Sequence, residues 1–213
     1  MPVPPPGYEG RFDRFGWYLI GAVYRERKSL GPTPPTLLDL GMGRGRDAIY
    51  FARRGFRVVG VDISALAIEK ARRRAARYRI PLRTQVGDLR RLRLKGRYRV
   101  VFSNLFVNHL SPAARPRRFA HFRAVTAPGG LHAMTAFVSK PDPTPTTDLD
   151  PGMMLFRPGE LRRYYSGWEI VDSRELVFPC AFGGSTHLHV ADAVVARKPG
   201  QAAGARGTPT PTE

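Results

Sequence analysis

Gly41, Gly43 and Gly45 stand at alternate positions between a short apolar run, Thr36–Leu40, and a helical pattern that starts near Arg44. Glycines placed there permit positive φ and let the backbone approach a ligand closely. The first amides of the following helix then face that ligand. Two carboxylates fall in the same row: Asp62 ends the next apolar run and Asp88 the one after. At the carboxyl end of a strand in an open α/β sheet, such a group accepts hydrogen bonds from a ribose diol. The set describes a site for a nucleoside-bearing cofactor. A dinucleotide fingerprint, G-x-G-x-x-G, needs its third glycine at position 46, which is Arg46. The observed G-x-G-x-G spacing favours S-adenosylmethionine, which has no pyrophosphate to cradle.

Side chains that could move a proton are few. His109 follows the fourth predicted strand in NLFVNHL. It reads as a general base or as a histidine ending a helix. His187 and His189 lie two apart on a predicted strand, so both point to one face. His187 is the second catalytic candidate. No further Cys, His or Asp cluster completes a zinc set around that pair, so no metal is expected. Tyr164 and Tyr165 read as packing residues, and Cys180 as an inert thiol.

The elements that position these groups alternate along the chain. A helix is predicted over residues 11–29, with Phe12, Phe15, Leu19, Ala22 and Val23 at helical spacing. Strands follow at Thr36–Leu40, Phe56–Asp62, Leu82–Gly87, Tyr98–Ser103 and Leu131–Val138. Helices fall between them at Arg44–Arg54, from Ser64 to about Tyr78, and at Pro112–Thr126. Residues 139–157 form a long Pro/Thr/Asp loop, the kind that commonly serves as a lid. A short helix, Pro158–Tyr165, precedes two closing strands, Glu169–Phe178 and His187–Lys198. Only a short link joins those two, so they pair antiparallel. The expected fold is α/β: a doubly wound, mostly parallel Rossmann-like sheet with a terminal antiparallel strand, in an α/β/α sandwich. Residues 1–35 read as a Pro-rich segment with a cap helix, 36–198 as the catalytic domain, and 199–213 as a disordered tail.

Hydrophobic content of 42% suits a folded domain. The longest apolar run near the N-terminus, Trp17–Tyr24, is far short of the ~20 residues that span a bilayer, and no signal peptide is visible. The single cysteine excludes an internal disulfide. The expectation is therefore a cytoplasmic protein without a membrane partner. Nothing in the sequence sets an oligomeric state. Net charge is +18, and only five of the 35 basic residues are lysine. Arginine binds phosphate, and it also accumulates by coding bias together with Ala, Gly and Pro. Both readings stand.

The stretch LLDLGMGRGRDAIYFARRGFRVVGVDIS, Leu37–Ser64, resembles motif I and the following strand of class I S-adenosylmethionine-dependent methyltransferases. The resemblance covers about residues 36–198. Within that superfamily the chain is similar to the tellurite-resistance-type methyltransferases, through GELRRYYSGWE, Gly159–Glu169, and VADAVVARK, Val190–Lys198. Met42 stands where that group has cysteine and Asp47 where it has asparagine. The segment VFPCAFGGSTHLH carries no His-Arg pair, which the group usually has.

The resemblance implies roles. Gly41, Gly43 and Gly45 pass the methionine end of S-adenosylmethionine, with Asp39 orienting the loop amides or the cofactor amine. Arg46 pairs with the methionine carboxylate or an anionic substrate, or merely caps the surface. Asp62 takes the ribose hydroxyls and Ile63 packs the adenine. Asp88 accepts from the adenine amine, with the Leu89 amide beside it. Asn104 faces the sulfonium region and Phe106 walls off the methyl group. The activity implied is methyl transfer by in-line displacement to a small acceptor such as a chalcogen oxyanion, a thiol or another small nucleophile, leaving S-adenosylhomocysteine. The alternative is methylation of RNA or DNA on a basic face. From Arg72 to Arg99 there are twelve basic residues and one acidic residue. Against it, the position after the fourth strand reads SNLF rather than an Asn/Asp-Pro-Pro-aromatic turn, and no recognition module is present.

Overall fold

A computed structural model describes residues 13–139, 149, 150, 152–180 and 187–200. Residues 1–12, most of the 139–157 loop and the 199–213 tail beyond Gly200 lie outside the described residues. The chain runs α1 (Asp13–Arg25), β1 (Thr36–Leu40), α2 (Arg46–Arg53), β2 (Arg57–Asp62), α3 (Ala65–Arg77), β3 (Arg83–Val86) and β4 (Tyr98–Asn104). It continues through α4 (Arg115–Ala124), β5 (Thr126–Phe137), α5 (Glu160–Arg163), β6 (Glu169–Cys180) and β7 (His187–Arg197). One sheet holds all seven strands in the order β3-β2-β1-β4-β5-β7-β6. β1 to β5 are parallel, and β7 is antiparallel to both β5 and β6.

The antiparallel strand is terminal in the chain but interior in the sheet. Hydropathy explains why. Val190–Ala196 of β7 is almost wholly buried, as a strand flanked on both sides must be. β6 carries Asp172, Ser173, Arg174 and Glu175, and takes the edge.

Alternation along the strands sends apolar side chains to both faces. Leu37, Val58, Val100, Phe102 and Val195 pack beneath α1, α2 and α3. Leu38, Val61, Val101, Met134 and Val194 pack against α4 and α5. α1 lies over β4, β5 and β7. Its Phe15, Leu19, Ala22 and Val23 are buried, as their spacing requires. Ser64 caps α3 by accepting the Ala67 amide at 3.1 Å.

Several boundaries differ from the expectation. α1 ends at Arg25 rather than near residue 29, and α5 keeps only Glu160–Arg163 of the expected Pro158–Tyr165. α4 starts three residues later than Pro112. β5 starts at Thr126 and absorbs the Pro128-Gly129-Gly130 turn as a register break opposite Tyr98–Val100. Arg99 holds that break in place, donating to the Pro128 carbonyl at 2.9 Å.

Candidate active site

The glycine loop is built where β1 runs out beside β2. The amides of Gly41 and Met42 both donate to the Val61 carbonyl, at 2.9 and 3.1 Å. Gly41 has φ +74° and faces the 3-10 turn Phe106–His109 that follows β4. A Cβ on Gly41 would lie 2.5 Å from Phe106 Cβ, so only glycine lets the loop and the turn meet. Gly43, at φ +52°, faces open space. Gly45 is the N-cap of α2. Met42 turns the other way, packs on Gly60 and is buried. It serves as core in the place of the family's cysteine.

Asp62 fastens this loop from β2. Its Oδ2 accepts the Gly43 amide at 2.8 Å and its Oδ1 the Ser64 amide at 2.9 Å. Behind it, Asp39 is 2% exposed. Burial pushes its carboxyl well above the usual carboxylate range, and the nearby charges of Asp47 and Asp62 push it further. It accepts the Ala48 amide, but Oδ2 has no partner among the described residues. Asp47 is also buried and receives Arg46 Nε at 3.1 Å. Over this cluster passes α1. A Cβ on Gly16 would lie 2.8 Å from Asn104 Nδ2 and 2.9 Å from Asp47 Oδ2. The N-terminal helix therefore touches the loop region directly.

The other wall follows β3. Asp88 is gripped by Arg90, whose Nε and Nη2 lie 2.9 and 3.1 Å from the two carboxylate oxygens. That guanidinium holds the Asp88 carboxyl below its ordinary range. Leu89 is buried, while Ile63 is 60% exposed, an apolar surface turned to the cavity.

The end of β4 carries Asn104. The Thr135 hydroxyl donates to Asn104 Oδ1 at 3.0 Å and accepts the Leu105 amide at 3.2 Å. Thr135 thereby fixes which way the Asn104 amide faces. Leu105 sits at φ +69°, a costly conformation for a branched side chain, at the turn into Phe106–His109. Asn108, fully buried, ties this turn to both ends of the long loop. Its Nδ2 donates to the carbonyls of Phe137 and Met154, and its Oδ1 accepts the Phe137 amide. Arg115, 1% exposed, donates to the Leu110, Met154 and Leu155 carbonyls and to Glu160, and lies 3.6 Å over Phe156.

These walls enclose a cavity of about 410 Å³ at the carboxyl ends of the parallel strands. It brings together Gly41, Asp62, Ile63, Asp88, Leu89, Asn104 and His109 of the predicted set. Gly43, Gly45, Asp39 and Arg46 are not among the lining residues of the cavity. His187 pairs with Cys180 in β7, and its side chain is outside the described residues. His189 is buried with its ring 5.3 Å from that of Phe137. Sequence reasoning missed Arg90, Asp150 and Met153 in the lining, and Gly16, Asn108, Arg115 and Thr135 behind it. The available signal was a polar residue inside an apolar run, as in NLFVNHL for Asn108. Arg72, Arg73, Arg74 and Arg77 of α3 do not line the cavity.

Residues 37–130 match a family model described as a methyltransferase domain. The chain is 32% identical over 144 residues to Hemagglutinin 1 of Eikenella corrodens, covering 68% of this chain and 47% of that one. It is 25% identical over 144 residues to a protein of Haemophilus influenzae (strain ATCC 51907 / DSM 11121 / KW20 / Rd) described as a probable S-adenosyl-L-methionine-dependent methyltransferase, TehB, covering 67% and 49%. The crystal structure of TehB from Haemophilus influenzae superposes with a TM-score of 0.70 at 22% identity, covering 84% of this chain and 61% of that one. The chain spans about half the length of the curated relatives it matches. Residues 37–130 thus match a methyltransferase domain, and the chain shares the fold of TehB. Among the described residues no helix is long and apolar enough to cross a membrane.

Proposed function

From these likenesses and the geometry of the site we propose that the protein is a class I S-adenosylmethionine-dependent methyltransferase that transfers a methyl group to a small-molecule acceptor by in-line displacement. One observation carries the reading. A single cavity joins Gly41, Asp62, Asp88 and Asn104, from the ends of four neighbouring strands, to His109 and the return of the long loop. The residues suit the cofactor. Gly41 admits close approach, Asp62 and Asp88 offer carboxylates, and Ile63 presents an apolar face. The unpartnered, buried Asp39 oxygen is a polar group placed for a donor.

S-adenosylmethionine, when bound, supplies a methyl already activated on a sulfonium. The chain's own residues position and shield. Asp62 takes the ribose diol with the lone pairs left by the Gly43 and Ser64 amides. Asp88 and the Leu89 amide take the adenine edge, and Ile63 covers its face. Asp39, Arg46, Gly43 and Gly45 hold the amino-acid end, with α1 closing over it. Asn104 and Phe106 shape the space for the methyl group, and His109 receives a proton where the acceptor has one to lose. His187 belongs to the same proposal as a second candidate on β7. Orientation of this kind lowers such a barrier by roughly 7–11 kcal/mol. Chemistry without a metal, residence in the cytoplasm and the division at residues 35 and 198 complete the reading. The lone cysteine and the continuous element order support them.

Calorimetry tests the core of it. Wild type should bind S-adenosylmethionine and S-adenosylhomocysteine, and Asp62→Ala should bind both more than tenfold more weakly. Equal affinity in the variant would remove the ribose assignment.

A further inference from the structure

We propose that the acceptor is an amine with an apolar body, drawn in as its ammonium form by Asp150 and relieved of its proton by His109. This rests on the methyltransferase reading and narrows its substrate. The motive is a contrast of charge. The chain carries +18, yet the described lining of the cavity holds three carboxylates, Asp62, Asp88 and Asp150, against one guanidinium, Arg90. Arg90 is already committed to Asp88, at the end of the cavity proposed for adenine. Beyond Asn104 the described lining is Leu105, Phe106, His109, Asp150 and Met153. Among the described residues that end offers an incoming anion no cation, and a carboxylate to repel it. It offers an ammonium group a carboxylate, an aromatic face and an apolar wall.

The geometry brings the carboxylate and the base close together beside Gly152. Asp150 Oδ1 accepts the Gly152 amide at 2.8 Å, which leaves Oδ2 to meet a cation. A Cβ added to Gly152 would lie 3.3 Å from Asp150 Oδ1 and 3.8 Å from His109 Nδ1, so the carboxylate and the imidazole flank the same glycine within bridging reach of one small group. An ammonium held by Asp150 has no lone pair until it loses a proton, and His109 stands near enough to take one. The freed nitrogen pair then forms the carbon–nitrogen bond. The methyl–sulfur bond breaks with its electrons left on sulfur, and the proton passes from His109 to water.

The test uses the full chain saturated with S-adenosylhomocysteine and three probes: 2-phenylethylamine, 2-phenylethanol and sodium selenite. Calorimetry should show the amine binding tightest, and Asp150→Asn should weaken it at least tenfold without changing affinity for S-adenosylhomocysteine. Asparagine keeps an oxygen for the Gly152 amide, so the loop stays intact. With labelled S-adenosylmethionine, the amine should be methylated, and His109→Ala should lower the rate more than it lowers binding. Selenite or the alcohol binding as tightly as the amine would overturn the proposal, as would an amine indifferent to Asp150→Asn; the methyltransferase reading would survive either result. A wild-type protein that fails to bind S-adenosylhomocysteine would end both.

Discussion

Gly16→Ala sets two physical effects against each other inside α1. Gly16 has an ordinary helical φ, so alanine suits its backbone and on propensity alone should stabilise the helix by up to about 1 kcal/mol. Packing opposes this. The added methyl would sit 2.8 Å from Asn104 Nδ2 and 2.9 Å from Asp47 Oδ2. Neither atom is free to retreat. Asn104 is pinned through its other amide atom by Thr135, and Asp47 through its other oxygen by Arg46. Overpacking at such a contact costs roughly 1–3 kcal/mol, so the net effect is a loss of about 0–2 kcal/mol. The more specific effect falls on the ligand. α1 must lift from the loop it covers, and affinity for S-adenosylhomocysteine should drop by about tenfold, which is roughly 1.4 kcal/mol. Denaturant titration and calorimetry on the same preparation read both terms. A variant that is about 1 kcal/mol more stable than wild type, with unchanged affinity, would refute α1 as a cover.

Three other outcomes are expected. His132 is fully buried between Thr126 and Tyr165, and burial lowers its pKa to about 3. The unfolded chain takes up that proton near pH 6.5 and the native state does not, so this contribution is complete above pH 6.5 and is lost as pH falls toward 3, at about 1.4 kcal/mol per pH unit. Wild type should lose up to roughly 2 kcal/mol between pH 7 and pH 5 that His132→Asn does not lose; identical pH profiles would dismiss the reasoning. Arg115→Met should cost roughly 3 kcal/mol in denaturant titration, because Glu160 and three carbonyls lose their donor, and should speed proteolytic cleavage within residues 139–157. Charge reversal at Arg72, Arg73 and Arg74 should leave the methylation rate within a few-fold of wild type and insensitive to salt. A lost activity, with RNA or DNA as the sole methylated product in an extract, would move the substrate to the basic face.

That Gly41, Asp62 and Asp88 share one cavity was legible because their signals are local. Gly41, Asp62 and Asp88 each end or follow a strand, so strand order and loop chemistry place them together. The wall formed by the long loop was not. Asn108 meets Phe137 and Met154, which are 29 and 46 positions away. Arg115 meets Glu160 across 45. Such partners leave no periodicity to read. Asp150 looked like one polar residue among many in a Pro/Thr/Asp loop. The sheet shows the same division. Pairing of the last two strands followed from their short link, but the place of β7 between β5 and β6 depended on which strand was the more apolar. Gly16 illustrates a third case. In the sequence it only interrupts a helix; its reason is a contact with β4 and α2.

The base of the long loop has a consequence for how this protein can change. Val138 and Phe156 bridge, the Ser139 amide donates to the Phe156 carbonyl at 2.8 Å, and the Phe156 amide to the Phe137 carbonyl at 2.9 Å. The chain leaves the sheet and returns to the same spot, so the excursion between is a cassette stitched shut at its mouth. Lengthening a closed loop costs little, about 0.6 kcal/mol for each doubling. Residues 140–153 can therefore be exchanged while the Met154–Phe156 return, held by Asn108 and Arg115, keeps the strand register in place. Each exchange replaces Asp150 and Met153 and leaves His109 in place. A library confined to this cassette would search acceptors while the cofactor chemistry is held constant.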